Sequence, residues 1–335
     1  MTMRWTSCWA ALALALGACA GGDGSEGVTS AVEAQVAEPA PARGGASNTP
    51  RKYDDPELEC FQFRAHAAPD RKGEKYSVPT TPDLYTGFTI KAPWSGVRYI
   101  KTIRSLVDNA KVVHHWQIYL NVNGGHERVA PNANPLHADA ELLYGFAPGT
   151  HDLYFDDDVG MVVQDGAFFE LENHYNNRTG VPQLDSSGVE LCVTPKKPEH
   201  VAALSFVGSM DIRGTTAKGT CTHQSKEPVH LIMGFPHMHV KGIHMKIDWT
   251  RADGTTSVVH DKPFDFDYQS TYLYRDVVLA PGDKLTTTCT YGEPARIGKG
   301  TDEEMCYFFS VHWPAGSLAR DNLFARLQAS TTCID

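Results

Sequence analysis

The stretch Gly234-Phe235-Pro236-His237-Met238-His239-Val240-Lys241-Gly242 predicts a strand that carries ligand chemistry. Successive side chains of a strand point to opposite faces, so His237 and His239 leave the same face and Met238 packs on the other. Two imidazoles on one face offer two nitrogens to a metal ion. Zinc would require a third ligand, for which His230 and His244 are candidates.

Three further places carry side chains of the same kind: the pair His114-His115, His174 in Glu172-Asn173-His174-Tyr175, and Met305 in Asp302-Glu303-Glu304-Met305-Cys306. Neighbours in a regular strand point to opposite sides. His114 and His115 can therefore reach one ion only if the strand ends or bulges there, or if the rings use different nitrogens. With His174 they would form a site of three imidazoles.

Met305 lies beside Cys306 in an apolar run, a position typical of a core residue. As a ligand, its thioether would be soft and would favour Cu(I) over zinc or iron. If Met305 begins a strand, Tyr307 and Phe309 share its face and border whatever binds there.

Residues 1–18 predict a lipoprotein signal peptide, with an apolar run from Trp9 to Leu16 that is too short to span a bilayer. The ending Leu16-Gly17-Ala18-Cys19 resembles a lipobox and predicts a lipid on Cys19. Ala20 is not acidic, which favours an anchor in the bacterial outer membrane. The alternative is an ordinary signal peptide cleaved near Ala20.

Residues 19–52 are mostly small, Pro and Glu residues and predict a disordered tether. The remainder is longer than one hydrophobic core usually serves, so we predict two domains, 53–194 and 195–335. The boundary falls in Thr194-Pro195-Lys196-Lys197-Pro198. A net charge of −10 without a basic cluster argues against nucleic acid, and no obligate protein partner is evident.

Short runs rich in Val, Ile, Thr, Tyr and Phe alternate with turn residues through both halves, which indicates an all-β fold of sandwiches. Only two segments, Ala138 to Tyr144 and Leu318 to Gln328, have a helical pattern.

The chain has eight cysteines. Cys8 leaves with the signal peptide and Cys19 would carry lipid, so Cys60, Cys192, Cys221, Cys289, Cys306 and Cys333 remain. An even number in an exported chain predicts disulfides, and no Cys-x-x-Cys spacing favours zinc. Cys60 and Cys192 are the only pair in the first half and should join its two ends.

The order His-His, His-Tyr, His-x-His-x-x-Gly and Asp-Glu-Glu-Met-Cys resembles the copper type II, ascorbate-dependent monooxygenases. This family includes peptidylglycine α-hydroxylating monooxygenase and dopamine β-monooxygenase. The resemblance extends over nearly all of Cys60 to Cys333. It implies two consecutive jelly-roll-like β-sandwich domains, each with one copper ion. It also implies the disulfides Cys60–Cys192, Cys221–Cys333 and Cys289–Cys306.

The resemblance assigns roles to six side chains. His114, His115 and His174 would hold the copper that transfers electrons. His237, His239 and Met305 would hold the copper that binds O2 and would be the catalytic set. In that family ascorbate supplies the electrons, and a C-H bond of the substrate becomes an alcohol.

Several positions depart from the family's pattern. The disulfides that flank the His-His pair in the animal enzymes have no cysteines here. Phe235 stands where the peptide-amidating branch has an Arg for the peptide carboxylate, and Tyr307 and Phe309 replace polar groups of its pocket. We therefore predict a pocket formed by Phe235, Tyr307 and Phe309 that takes a small molecule rather than a peptide, and its apolar, aromatic lining favours an aromatic one.

The sequence thus predicts a lipid-anchored copper monooxygenase with two copper ions, O2 and a reductant such as ascorbate. The first alternative is a non-catalytic copper-binding lipoprotein on the same scaffold. The second is a zinc hydrolase that uses His237 and His239.

Overall fold

The computed structural model describes residues 44–121, 125–132, 140–298, 300–318 and 331–334. Within these ranges every regular element is a β-strand, which confirms the all-β prediction. None of the described residues forms a helix that is long and apolar enough to cross a membrane. Residues 1–43, which include the predicted signal peptide and Cys19, lie outside the described residues.

The strands of the first half are β1 (Ala46–Ser47), β2 (Glu59–Arg64), β3 (Tyr76–Val78), β4 (Leu84–Lys91), β5 (Arg98–Leu106), β6 (Val113–Asn121), β7 (Arg128–Pro131), β8 (Ala140–Phe146), β9 (Leu153–Phe155), β10 (Val159–Val163), β11 (Phe168–Tyr175), β12 (Gln183–Asp185) and β13 (Gly188–Thr194). The strands of the second half are β14 (His200–Gly208), β15 (Arg213–Thr222), β16 (Val229–His237), β17 (Gly242–Thr250), β18 (Thr256–Pro263), β19 (Tyr272–Leu273), β20 (Val278–Leu279), β21 (Lys284–Arg296), β22 (Tyr307–Trp313) and β23 (Thr331–Ile334).

The helix predicted for Ala138 to Tyr144 is wrong, because Ala140–Phe146 is strand β8. The segment contains good helix formers, but it pairs antiparallel with β6 along its length. Tertiary pairing overrides local propensity here. The helix predicted for Leu318 to Gln328 lies almost entirely outside the described residues.

Three larger sheets build the fold. A five-stranded sheet has the order β7-β4-β11-β6-β8, and a four-stranded sheet has the order β15-β21-β17-β18. The largest sheet runs through both halves of the chain, because β10 pairs in parallel with β14, the first strand after the predicted boundary. The division into two domains at residue 194 stays a prediction.

Strand β22 shows how the large sheet separates two hydrophobic cores. Tyr307, Phe309 and Val311 belong to the core that contains the first half, whereas Phe308 belongs to the second core. This alternation follows from the two-residue period of a strand. The middle of the large sheet is therefore covered on both faces.

The predicted disulfides are all present, as Cys60–Cys192, Cys221–Cys333 and Cys289–Cys306. The first joins β2 to β13, so it links the two ends of the first half. The third ties β21 to the residue that precedes β22.

The end of the predicted tether is placed against the folded part, contrary to the expectation of disorder up to residue 52. Ala46 and Ser47 pair with β9. The backbone N–H groups of Gly44 and Gly45 donate to the carboxylates of Asp158, at 3.1 Å, and Asp156, at 2.9 Å. Composition alone predicted disorder because ordering this segment costs conformational entropy. These hydrogen bonds and the strand pairing offset that cost.

Candidate metal centres

The first cluster combines the ends of two neighbouring strands of the five-stranded sheet. His115 on β6 lies opposite His174 on β11, and the register then shifts so that Tyr175 lies opposite Val113. His114 is thus the extra residue of a β-bulge. A bulge turns consecutive side chains toward one side, which is the condition that the sequence set for both rings to reach one ion.

The three rings meet through the same type of nitrogen. Nδ1 of His115 lies 3.0 Å from Nδ1 of His114 and 3.4 Å from Nδ1 of His174. With metal–nitrogen bonds of about 2.0–2.1 Å, two imidazoles on one ion place their nitrogens roughly 3 Å apart. The arrangement therefore fits a single ion held by three nitrogens.

Asp83 and Tyr85 fix the orientation of His174. Nε2 of His174 donates to Oδ1 of Asp83 at 2.8 Å, which leaves the Nδ1 lone pair free to bind a metal. The ring of Tyr85 stacks on His174 with centroids 4.2 Å apart and planes 4° apart. Burial raises the pKa of Asp83, but hydrogen bonds from Thr301 and His174 outweigh it, so the net shift is downward.

The second cluster lies at the end of β16. His237 is the last residue of the strand, and the rings of His237 and His239 have centroids 5.3 Å apart. Nδ1 of His237 donates to Oε1 of Gln269 at 3.0 Å. Nδ1 of His239 lies within donating distance of the carbonyls of Gly300, at 3.0 Å, and Glu303, at 3.1 Å. Both rings therefore keep the Nε2 lone pair for a ligand.

Met238 faces away from these rings, as the strand period predicts. It is fully buried in the second core, and a side chain at Gly242 would collide with it. The Met238 sulfur thus belongs to the core rather than to the cluster.

Met305 lies in the segment that enters β22, the strand paired with β16. Tyr307 is opposite His237, so the same antiparallel register, continued by two residues, would align Met305 with His239. The backbone carbonyl of Met305 accepts a hydrogen bond from the Tyr291 hydroxyl at 3.0 Å. This placement agrees with a shared site, while ligation by the sulfur stays a prediction.

Glu304 joins the two segments of this second cluster. Its buried carboxylate accepts hydrogen bonds from the backbone N–H groups of His239 at 2.8 Å, Lys241 at 2.6 Å and Met305 at 3.3 Å. One side chain therefore sets the spacing between the loop after β16 and the segment before β22. Burial raises the pKa of Glu304 although these hydrogen bonds oppose the shift.

Burial also keeps the imidazoles of both clusters neutral, which is the form that binds metal. Burial and the nearby His239 lower the pKa of His237 to about 3, and burial and the nearby His114 lower that of His174 to about 4. The pKa of His115 is shifted well below its usual value, mainly by burial. Burial lowers the pKa values of His114 and His239 as well.

One aromatic ring contacts both clusters. The Phe266 ring lies 4.9 Å from His114 and 6.3 Å from His239, measured between centroids. Three residues further on, Gln269 holds His237, and its backbone N–H donates to the carbonyl of Pro148 in the first half at 2.7 Å. The loop between β18 and β19 thus contacts both halves beside the clusters.

The predicted pocket residues form an apolar wall next to His237. Phe235, Tyr307 and Phe309 are all less than a tenth exposed. The Phe309 ring lies 5.4 Å from the ring of His237, and Phe235 packs on Phe309 at 5.7 Å. They are packed in the core, and their contact with a substrate stays a prediction.

The two candidates for a third zinc ligand are engaged elsewhere. His230 lies seven residues before His237 on β16, roughly 23 Å along an extended strand, and stacks on Trp313. Nε2 of His244 bonds to Asp261 at 2.9 Å. The zinc alternative therefore gains no support from them.

Sequence reasoning missed four residues around the clusters, Asp83, Tyr85, Phe266 and Gln269. They lie in loops or at a strand start, and no local pattern marks them. Glu304 did lie in a stretch that the sequence marked, because it belongs to the acidic run before Met305, but its role was not predicted.

The fold and these clusters define an all-β protein with two candidate metal centres, one of three imidazoles and one of two imidazoles beside a methionine. Residues 208–322 match the family described as copper type II ascorbate-dependent monooxygenase, C-terminal domain. Over this segment the chain is similar to the copper type II, ascorbate-dependent monooxygenases. Imidazole and thioether donors suit copper, so the side chains present fit the metal of this family.

Curated relatives show the same similarity at low identity. The chain is 26% identical over 251 residues to DBH-like monooxygenase protein 1 of Gallus gallus, which covers 64% of this chain and 41% of the relative. It is 26% identical over 247 residues to the Homo sapiens protein of the same name, covering 62% and 40%. It is 24% identical over 244 residues to dopamine beta-hydroxylase of Canis lupus familiaris, covering 63% and 39%. The chain spans about two fifths of the length of these relatives.

Proposed function

We propose that the protein is a copper-dependent monooxygenase that hydroxylates a C-H bond of a small organic substrate, using O2 and a one-electron reductant such as ascorbate. The observation that carries the proposal is the presence of two donor sets of different character. In one set Nδ1 of His115 lies 3.0 Å from Nδ1 of His114 and 3.4 Å from Nδ1 of His174. In the other, two imidazoles lie beside a methionine segment fixed by Glu304.

The two sets suit different tasks. His114, His115 and His174 offer nitrogen alone, which supports a copper that changes oxidation state without binding substrate. Met305 would add a soft sulfur to His237 and His239, and this donor set favours Cu(I). Copper bound there would supply the one-electron redox chemistry, while the protein holds its ligands neutral and oriented.

The surroundings of the second set favour an apolar substrate. Phe309 and Phe235 lie against His237, and Phe266 lies against His239. Phe235 itself stands where the peptide-amidating branch has an Arg for the peptide carboxylate, and a phenyl ring cannot pair with that charge. The proposed substrate is therefore a small organic molecule with an activated C-H bond, and the aromatic surroundings favour an aromatic one.

The test is oxygen uptake by copper-loaded protein with ascorbate and a panel of small aromatic substrates. We expect two copper ions per chain, and O2 consumption beyond the bound copper that matches alcohol formed. Met305→His should retain copper and lose hydroxylation. Met210→His, at an exposed methionine, is the matched control and should retain both.

The same measurement separates the enzyme from a non-catalytic copper-binding protein on this scaffold. Both would bind copper, but only the enzyme turns over. Oxygen consumption limited to the oxidation of bound copper, with every substrate tried, would contradict the proposal. Unchanged hydroxylation in Met305→His would remove the role given to this residue.

We also propose that the protein is exported and anchored to a membrane through a lipid on Cys19, with the outer membrane as its location. The support is the Leu16-Gly17-Ala18-Cys19 sequence. Cys19→Ala should move the protein from the membrane to the soluble fraction. Mass spectrometry of the N-terminal peptide of the wild-type protein should show a diacylglyceryl group on Cys19. An unlipidated Cys19 would contradict the anchor.

A further inference from the structure

A single carboxylate connects the two candidate copper sites. We propose that Asp83 is a positioning residue shared by both sites: it orients His174 directly and acts on His239 through Thr301. The inference rests on the proposed function only in that both sites bind copper. It concerns how the chain holds its ligands and does not depend on turnover.

The contact with the first site is direct. Asp83 Oδ1 accepts the Nε2 proton of His174 at 2.8 Å, so it selects the tautomer whose Nδ1 lone pair faces His115. A carboxylate on the remote nitrogen also raises the basicity of a ligating imidazole. His174 is buried, so few other partners compete for this proton.

The contact with the second site runs through one hydroxyl and a short piece of backbone. Thr301 Oγ1 donates to the same Oδ1 of Asp83 at 3.0 Å. The residue before it, Gly300, accepts the Nδ1 proton of His239 through its carbonyl at 3.0 Å. The position of Thr301 therefore affects one of the two carbonyls, those of Gly300 and Glu303, that orient the His239 ring.

The backbone at Asp83 supports a dedicated role. Its φ of 54° is in the left-handed region, which few non-glycine residues adopt and which Asp and Asn tolerate best. It stands immediately before β4, whose residue Tyr85 stacks on His174. Backbone strain held in place by surrounding contacts is commonly found at functional sites.

This connection spans 218 residues of sequence and joins the two halves of the chain. If the carboxylate positions both rings, metal binding at one site changes the affinity of the other, and the effect is reciprocal. The Asp83–Thr301 hydrogen bond is exposed to water, so we expect its contribution to be small compared with the direct contact.

The test measures Cu(I) affinity by competition with a colorimetric chelator, in two backgrounds of the full chain. His114→Ala/His115→Ala leaves only the second site. In that background Asp83→Ala and Thr301→Val should each weaken binding about 3-fold to 5-fold, and Thr301→Ser should restore it. His237→Ala/His239→Ala leaves only the first site, where Asp83→Ala should weaken binding about 10-fold to 100-fold.

Controls separate positioning from loss of structure. Asn tolerates the left-handed backbone and keeps an acceptor. The Cu(I) affinity of the first site in Asp83→Asn should therefore lie between those of the wild type and Asp83→Ala. Asp261→Ala removes an exposed carboxylate from a histidine outside both clusters and should change neither affinity. The Cu(II) electron paramagnetic resonance spectrum of the first site should change with Asp83→Ala but not with Asp261→Ala.

Two results would overturn the inference: a second site indifferent to Asp83→Ala and Thr301→Val, or a loss in Thr301→Val that Thr301→Ser does not restore. Either leaves the oxygenase proposal standing. Conversely, a chain with two coppers and the expected affinity changes, but no ascorbate-dependent hydroxylation, would refute the oxygenase and keep the shared role of Asp83.

Discussion

Glu304 shows how one buried charge can organise a metal site without touching the metal. Hydrogen bonds to a carboxylate are stronger than those between neutral groups, and three backbone N–H groups from two segments converge on this one. A neutral amide of the same size offers one acceptor oxygen and brings two donors to a place that contains donors. The substitution should therefore affect folding and the second site together.

We expect Glu304→Gln to lower the free energy of unfolding by about 2 kcal/mol, because buried donors lose a charged acceptor. Copper affinity should fall at the site of His239 and Met305 and stay unchanged at the site of His174. Urea unfolding and metal titration measure the two effects. Glu190→Gln is the control, since Glu190 is a buried carboxylate away from both clusters. Equal losses at both copper sites would contradict the local role.

His312 should make the metal-free protein sensitive to acid. It is fully buried on β22, burial lowers its pKa to about 4, and its Nε2 has no hydrogen-bond partner among the described residues. The unfolded pKa is about 6.5, so the stabilisation is complete above that pH and is lost as the pH falls toward 4. At pH 5 this one group lowers the free energy of unfolding by about 2 kcal/mol.

The measurement compares unfolding of the wild type and His312→Leu at pH 7.5 and pH 5, with a chelator present. We expect the drop in the free energy of unfolding between the two pH values to be smaller in the variant by about 2 kcal/mol. The comparison cancels the contribution of the other buried histidines. An identical drop in both proteins would show that His312 does not take up a proton on unfolding in this range.

Among the strands, β6 shows what the sequence could and could not predict. The sequence predicted that His114 and His115 could reach one ion only at a bulge or a strand end. The register shift at His114 provides the bulge. Strand β8 was predicted as a helix because its Ala-Glu-Leu-Leu residues have helical propensity, and pairing with β6 overrides it. Asp83 and Gln269 act across more than 30 residues of sequence, so no local pattern marks them.

The disulfides offer a test that separates stability from site geometry. Cys60–Cys192 closes 132 residues and Cys289–Cys306 closes 17. In the chain-entropy account the longer loop contributes about 5 kcal/mol and the shorter about 3 kcal/mol. Only the shorter one lies beside Met305. Removing the longer disulfide should therefore cost more stability, whereas removing the shorter one should cost more copper affinity.

We expect Cys60→Ala/Cys192→Ala to lower the melting temperature more, while copper binding at the second site stays intact. Cys289→Ala/Cys306→Ala should lower it less but weaken Cu(I) binding at that site. Calorimetry and chelator competition provide the two measurements. If both pairs changed copper affinity equally, the anchoring of Met305 by its neighbouring disulfide would be contradicted.

At the level of the complete fold, the cysteine and strand patterns pointed to two halves, whereas the packing ties them together. Phe206, Phe235 and Phe309 of the second half belong to the same core as the first half. Phe235 lies close enough to Gly145 on β8 that an added Cβ there would be 3.6 Å from its ring. The sequence could not show this, because an apolar strand residue reveals that it is buried but not against which partner.

The shared core and the parallel pairing of β10 with β14 predict that the two halves unfold together. We expect a single calorimetric transition for metal-free protein, with equal calorimetric and van't Hoff enthalpies. A fragment of residues 53–194 would expose apolar surface that the second half covers, so it should not fold alone. Two separate transitions, or a folded fragment with a cooperative melt, would instead favour independent domains.

Phe235→Ala tests the same junction with a single substitution. Removing this buried ring should lower the free energy of unfolding by about 3–5 kcal/mol while the transition stays single.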